Sequence, residues 1–75
     1  MPKLRKVSGK ECIKALSKIG FSQTRQKGSH VMLVMNIDKG RIGVVVPLHN
    51  ELKIGTIKAI LKKAGISEDE FIRNI

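Results

Sequence analysis

The chain has 75 residues, 41% of them hydrophobic and 28% charged, which predicts one small globular domain and excludes a disordered or membrane-embedded chain. Its longest apolar runs, VMLVM and VVVPL, fall far short of the roughly 18 residues that a membrane span needs. Fifteen Lys and Arg against six Asp and Glu leave a net charge of +9, a field that draws polyanions and makes nucleic acid the first partner class to consider.

The basic N-terminus, MPKLRKVSGK, has neither a hydrophobic stretch behind it nor a cleavage site. It does not read as a signal peptide, and a cytoplasmic protein is expected. From Met1 to Lys27 eight basic residues face only Glu11, whereas the last nine residues, SEDEFIRNI, are acidic on balance. Ser8-Gly9-Lys10-Glu11 fits a capping box, with Val7 and Cys12 at the staple positions, and so opens a first helix. Cys12, Leu16 and Ile19, widened by Ile13 and Ala15, form its apolar stripe, and Gly20 ends it. Lys10, Lys14 and Lys18 line the opposite side. The single cysteine falls in the stripe, which predicts an inert core thiol in a reducing compartment.

Phe21 to Gln26, FSQTRQ, alternates as a short strand near a sheet edge. Lys27-Gly28 turn the chain, and Ser29 to Ile37 make a second strand. Asp38 to Arg41 form a hairpin turn in which Gly40 is available for a positive φ. Ile42 to Pro47, rich in valine, is the third strand. Turns this short imply antiparallel neighbours and therefore a meander. A second helix is predicted from about Ile54 to Ala64, with Ile54, Ile57, Ile60, Leu61 and Ala64 as its stripe and Gly65 as its stop. Its wet face carries Lys58, Lys62 and Lys63. Ser67 to Glu70 forms a second capping box, stapled by Ile66 and Phe71, and opens a short last helix. The order α-β-β-β-α-α predicts an α+β sandwich, with the helices on one face of a three-stranded antiparallel sheet.

Few groups can do chemistry. The sequence has no nucleophile elbow, no phosphate loop and no pair of carboxylates in a plausible cleft. One cysteine and two distant histidines suggest no metal site, so no cofactor is expected. His30, His49 and the cations remain. RNA brings its own nucleophile, the 2′-OH beside the scissile phosphate. A histidine can move that proton near neutral pH, while cations and backbone N–H groups stabilise the charge of the transition state. DNA lacks the 2′-OH and is spared by this route.

From the pattern alone His30 has two readings: a strand-end histidine whose ring bonds to turn backbone, or a catalytic group. One face of its strand carries His30, Met32, Val34 and Asn36; the other carries Ser29, Val31, Leu33, Met35 and Ile37. Both are largely apolar, so periodicity does not decide which meets the helices. His49, just after VVVP, reads as a solvated loop residue. Gly28-Ser29 is either a plain turn or a place where a phosphate approaches the backbone, with the Ser29 hydroxyl as a further donor.

A basic helix ending in Gly20-Phe21, then QKGSHVML, then VVVPLHNELKIGTIKAILKKAGIS, resembles the HicA (YcfA-like) toxin family from about Val7 to Ser67. The most specific pieces are Gly28-Ser29-His30 and, further on, Val46-Pro47 with His49, Ile54-Gly55-Thr56-Ile57 and Ala64-Gly65-Ile66. The resemblance implies a fold like the double-stranded-RNA-binding domain and a metal-independent endoribonuclease that cuts mRNA, single-stranded or structured, and inhibits translation. It also implies a HicB-type antitoxin that blocks the active site, and neither a membrane nor DNA as a partner. The family's catalytic histidine matches His30. On this reading Gly28 and Ser29 lie close to the phosphate, and Lys6, Arg25 and Lys27 are candidates for holding RNA.

Many relatives carry a proline where this chain has Ile54, and an aromatic or second histidine where it has Val31-Met32. With no Tyr or Trp in the chain, a weak sequence preference is expected. The alternatives are a non-catalytic RNA-binding module of the same fold, or a subunit that only binds a partner.

Overall fold

The computed structural model describes residues 4–75. Lys3 of the basic N-terminal third, and the start of the segment weighed as a signal peptide, lie outside the described residues. The elements are α1 (Gly9–Ile19), β1 (Ser22–Lys27), β2 (His30–Ile37), β3 (Gly40–Pro47), α2 (Ile54–Ala64) and α3 (Glu68–Arg73). This is the expected α+β order, with strand ends moved by one or two residues.

Helix α1 starts where its cap requires. The Ser8 hydroxyl accepts the Glu11 N–H and the Glu11 carboxylate accepts the Ser8 N–H, each at 3.1 Å. Val7 and Cys12 are both buried around this cap. The Ser8 backbone N–H, followed by its hydroxyl, holds the Glu11 carboxyl below the usual carboxylate range. A carboxyl whose pKa is lowered by folding stabilises the fold above its unfolded pKa, and that stability is lost as pH falls through the lowered value. Replacing Ser8 by Ala should therefore cost about 1 kcal/mol at neutral pH, read from a urea melt. Glu11→Gln should remove part of the wild-type's stability loss on acidification. At α3 only half of the second box forms: the Ser67 hydroxyl accepts the Glu70 N–H at 3.1 Å. Ile66 and Phe71 are buried as its staple.

The sheet order is β1-β2-β3, antiparallel throughout. Val31 and Leu33 of β2 and Val44 and Val46 of β3 are buried on one face, against Cys12, Ala15 and Leu16 of α1 and Ile57, Ile60, Leu61 and Ala64 of α2. Burying such side chains is worth roughly 1.5–3 kcal/mol each. Phe71 of α3 joins the same core, so all three helices lie behind the sheet. Cys12 is fully buried, and burial pushes its thiol up to about 11, which keeps it protonated and inert as expected. Among the described residues no helix is long and apolar enough to cross a membrane.

The unbroken alternation expected for residues 21–26 fails at one point. Gln23 stands opposite Leu33 and Arg25 opposite Met32, so Thr24 is an extra residue in a β-bulge. Its hydroxyl donates to the Met32 carbonyl at 3.4 Å. A strict two-residue period would put Phe21, Gln23, Arg25 and Lys27 on one side. The bulge separates them: Phe21 turns inward to 2% exposure, while Arg25 and Lys27 share the outer side with Met32 and His30. An aromatic that must be buried and two cations that must not are reconciled by one inserted residue.

Three backbone hydrogen bonds tie the start of α1 and the start of β2 to the loop after β3. Gly9 N–H donates to the His49 carbonyl at 2.8 Å, Leu52 N–H to Val7 at 2.7 Å, and Leu48 N–H to Ser29 at 2.6 Å.

Candidate nucleic-acid interface

His30 opens β2, opposite Lys27 on β1 and Pro47 on β3. The alternation left undecided by the sequence is settled by burial: Val31 and Leu33 are sealed under the helices, whereas Met32 is 41% exposed. His30 therefore stands on the open face of the sheet, away from the helices. Among the described residues its ring has no hydrogen-bond partner, so no turn backbone holds it. The turn is closed by other groups: the Gln26 side-chain amide donates to the Gly28 carbonyl at 3.1 Å, and the Ser29 carbonyl is taken by Leu48.

The hairpin between Lys27 and His30 has Gly28 as its first central residue, at φ +60. Ser29 keeps a negative φ, so this is a type II′ turn, for which glycine is the natural first residue. Nothing lies within 4 Å of where a Gly28 Cβ would stand. Its backbone is open to solvent on that side, as a phosphate-approach reading requires. Ser29 is exposed beside it.

Arg25, Lys27, His30, Met32 and Val45 line a shallow cavity of about 230 Å³. Directly opposed residues on paired strands hold their Cβ atoms about 5 Å apart, and diagonal ones about 7–8 Å. Lys27 is the direct neighbour of His30 and Arg25 its diagonal one. A histidine thus has two cations beside it along the neighbouring strand, in an open groove. Among the described residues neither Arg25 nor Lys27 is paired with a carboxylate, which leaves both free for an external anion.

Lys6 is not brought into this cavity. It lies beside the loop after β3, with its Nζ 3.8 Å from Glu51 Oε1 and the two side chains 55% and 67% exposed. A pair so exposed contributes little and opens readily. His49 is an exposed loop residue, as expected. Among the described residues no three His, Cys, Asp or Glu side chains gather as a metal cluster would.

Three residues of the open face were not singled out from the sequence: Val45, Arg41 and Gly43. Arg41 stands opposite Asn36, Gly43 opposite Val34 and Val45 opposite Met32. Counting back from the Asp38-Lys39 turn would have placed all of them on the side of His30. What was missing was the knowledge that this side is the wet one.

Comparison with curated proteins finds no match. A family model described as the HicA toxin of bacterial toxin-antitoxin matches residues 9–66, all of α1 through the end of α2, with the His30 hairpin inside it. The chain belongs to the HicA toxin family.

Proposed function

We propose that this toxin is a metal-independent endoribonuclease that cuts mRNA at the open face of its sheet, with His30 as the proton-transfer residue. The observation that carries the reading is the free, solvent-facing His30 ring set beside Lys27 and Arg25 of the neighbouring strand. The ring takes the proton of the 2′-OH as the 2′ oxygen attacks the adjacent phosphorus. The bond from phosphorus to the 5′ oxygen breaks, and that oxygen leaves with a proton from the ring or from water. The products are a 2′,3′-cyclic phosphate and a 5′-OH.

Arg25 and Lys27 stabilise the extra negative charge on the phosphoryl oxygens. The open Gly28 backbone and the Ser29 hydroxyl lie at the phosphate's approach. Lys6 serves as an outer backbone contact once its loose pair with Glu51 opens. Family membership supports a toxin–antitoxin partnership, and in this reading a HicB-type antitoxin covers the groove in the cytoplasm until it is removed.

The test is cleavage of a single-stranded RNA by the purified chain in EDTA, beside a DNA of the same sequence. RNA is expected to be cut and DNA left intact. Salt-sensitive binding without cutting would leave a non-catalytic RNA-binding module instead.

A further inference from the structure

The groove does not end at His30. A second cavity, of about 450 Å³, continues along the open face and is lined by Thr24, Arg25, Met32, Val34, Arg41 and Gly43. It shares Arg25 and Met32 with the first cavity. Its floor is apolar and flat: Val34 and the glycine directly opposite it, with Met32, which is 41% exposed. Its two ends are guanidinium groups, Arg25 on β1 and Arg41 on β3.

We propose that this second cavity is a nucleobase subsite, which takes one unstacked base of the RNA beside the scissile position. The chemistry of the lining recognises a flat, polarisable ring attached to an anion. Guanidinium planes stack on bases, and a methionine thioether makes favourable contacts with an aromatic ring. The same arginines bind the phosphates on either side of that base. Val34 lies four residues from His30, which at the rise of a strand is about 13 Å. The base held there belongs to a nucleotide near the cut rather than at it.

Gly43 matters by what it lacks. Every other strand residue paired with an outward side chain of β2 from Met32 to Asn36 carries a side chain of its own. At Gly43 the floor is bare, and it is bare without conformational need, since its φ is not positive. An added Cβ would find only the Leu33 carbonyl oxygen, at 4.0 Å. The glycine is thus unforced by the backbone or by packing, and its effect is to keep the cavity deep enough for a ring. The subsite supplies, through arginine and methionine, the base contact that the missing aromatics would otherwise make.

This inference rests on the open face being an RNA interface, but its test reads binding and not cleavage. The probe is a 2′-O-methyl oligonucleotide, which cannot be cut through its 2′ oxygen, together with copies in which one position at a time is abasic. Affinities are measured by fluorescence anisotropy at one fixed salt concentration. Wild type is expected to lose about tenfold in affinity at one abasic position, the lower part of the range for a stacked base, and little at the others.

Gly43→Val, a good strand former that fills the floor, should weaken the intact oligonucleotide to the abasic level and abolish the further abasic penalty. Arg41→Ala should reduce the same penalty, and its exposed position protects the fold; thermal melts confirm both variants are folded. No binding, an abasic series without effect, or an unchanged penalty in both variants overturns the subsite. An abasic-insensitive surface would assign the patch to a protein partner instead. A wild type that shows the penalty but cuts no RNA would refute the nuclease reading and leave the subsite standing.

Discussion

His30→Ala is expected to slow RNA cleavage by about 10²- to 10⁴-fold, the usual contribution of a general acid–base group, while the chain stays folded and still binds RNA. Retention of the fold follows from the site: the side chain is exposed and, among the described residues, makes no hydrogen bond whose loss would unbalance the hairpin. Retention of binding follows from the division of labour along the strand pair. In the proposed mechanism Arg25 and Lys27 hold the phosphates, and among the described residues neither is hydrogen-bonded to the imidazole. Added imidazole should restore part of the lost rate, because the vacated space opens directly to solvent. Circular dichroism, a binding isotherm and a cleavage time course read the three expectations separately. A folded variant that cuts at the wild-type rate would remove His30 from the mechanism.

The second large effect is on stability. Gly9→Ala should cost about 3 kcal/mol, the upper part of the range for forcing an extra carbon into a packed site. A Cβ on Gly9 would overlap the Pro47 carbonyl oxygen and come 2.9 Å from the Leu48 Cα. Both obstacles are backbone, so relief requires the start of α1 to lift away from the end of β3. That movement would also pull the Gly9 N–H from the His49 carbonyl, 2.8 Å away, and leave the donor unpaired. A domain of this length has only about 4–11 kcal/mol of stability in total, so the loss is a large share of it. The urea midpoint should fall accordingly. A midpoint equal to wild type would show that the contact between α1 and β3 yields without cost.

Gly9 also links stability to function. The loop it braces is the one whose Leu48 N–H holds the Ser29 carbonyl at 2.6 Å. The hairpin that presents His30 is therefore fastened from behind by the start of α1.

What the sequence disclosed, and what it withheld, follows from the range of each interaction. Capping and turn chemistry act over three or four residues, so Ser8 with Glu11, the Gly28 turn and the stops at Gly20 and Gly65 could be read directly and stand where expected. The core thiol of Cys12 was legible from helical spacing for the same reason. The face of β2 was not, because both of its sides are apolar and the choice between them depends on which side the helices cover. The bulge at Thr24 was hidden as well: nothing local marks it, and it arises from the demand that Phe21 enter the core while Arg25 and Lys27 stay in water. Gly9 looked like a neutral member of a capping box, and only the approach of Pro47 across the fold shows why no larger residue fits. Lys6 was grouped with Arg25 and Lys27 by charge alone, and the chain path carries it instead to the loop beside Glu51.

The central claim, that the open-face histidine drives attack by the RNA's own 2′ oxygen, is tested most directly by the ends of the fragments formed in EDTA. Attack by the 2′ oxygen leaves a 2′,3′-cyclic phosphate on one fragment and a 5′-OH on the other, and a single 2′-deoxy substitution at the cut position abolishes that cut. Fragments ending in 3′-OH and 5′-phosphate, or undiminished cutting at the 2′-deoxy position, would mean that water is the nucleophile and would contradict the account.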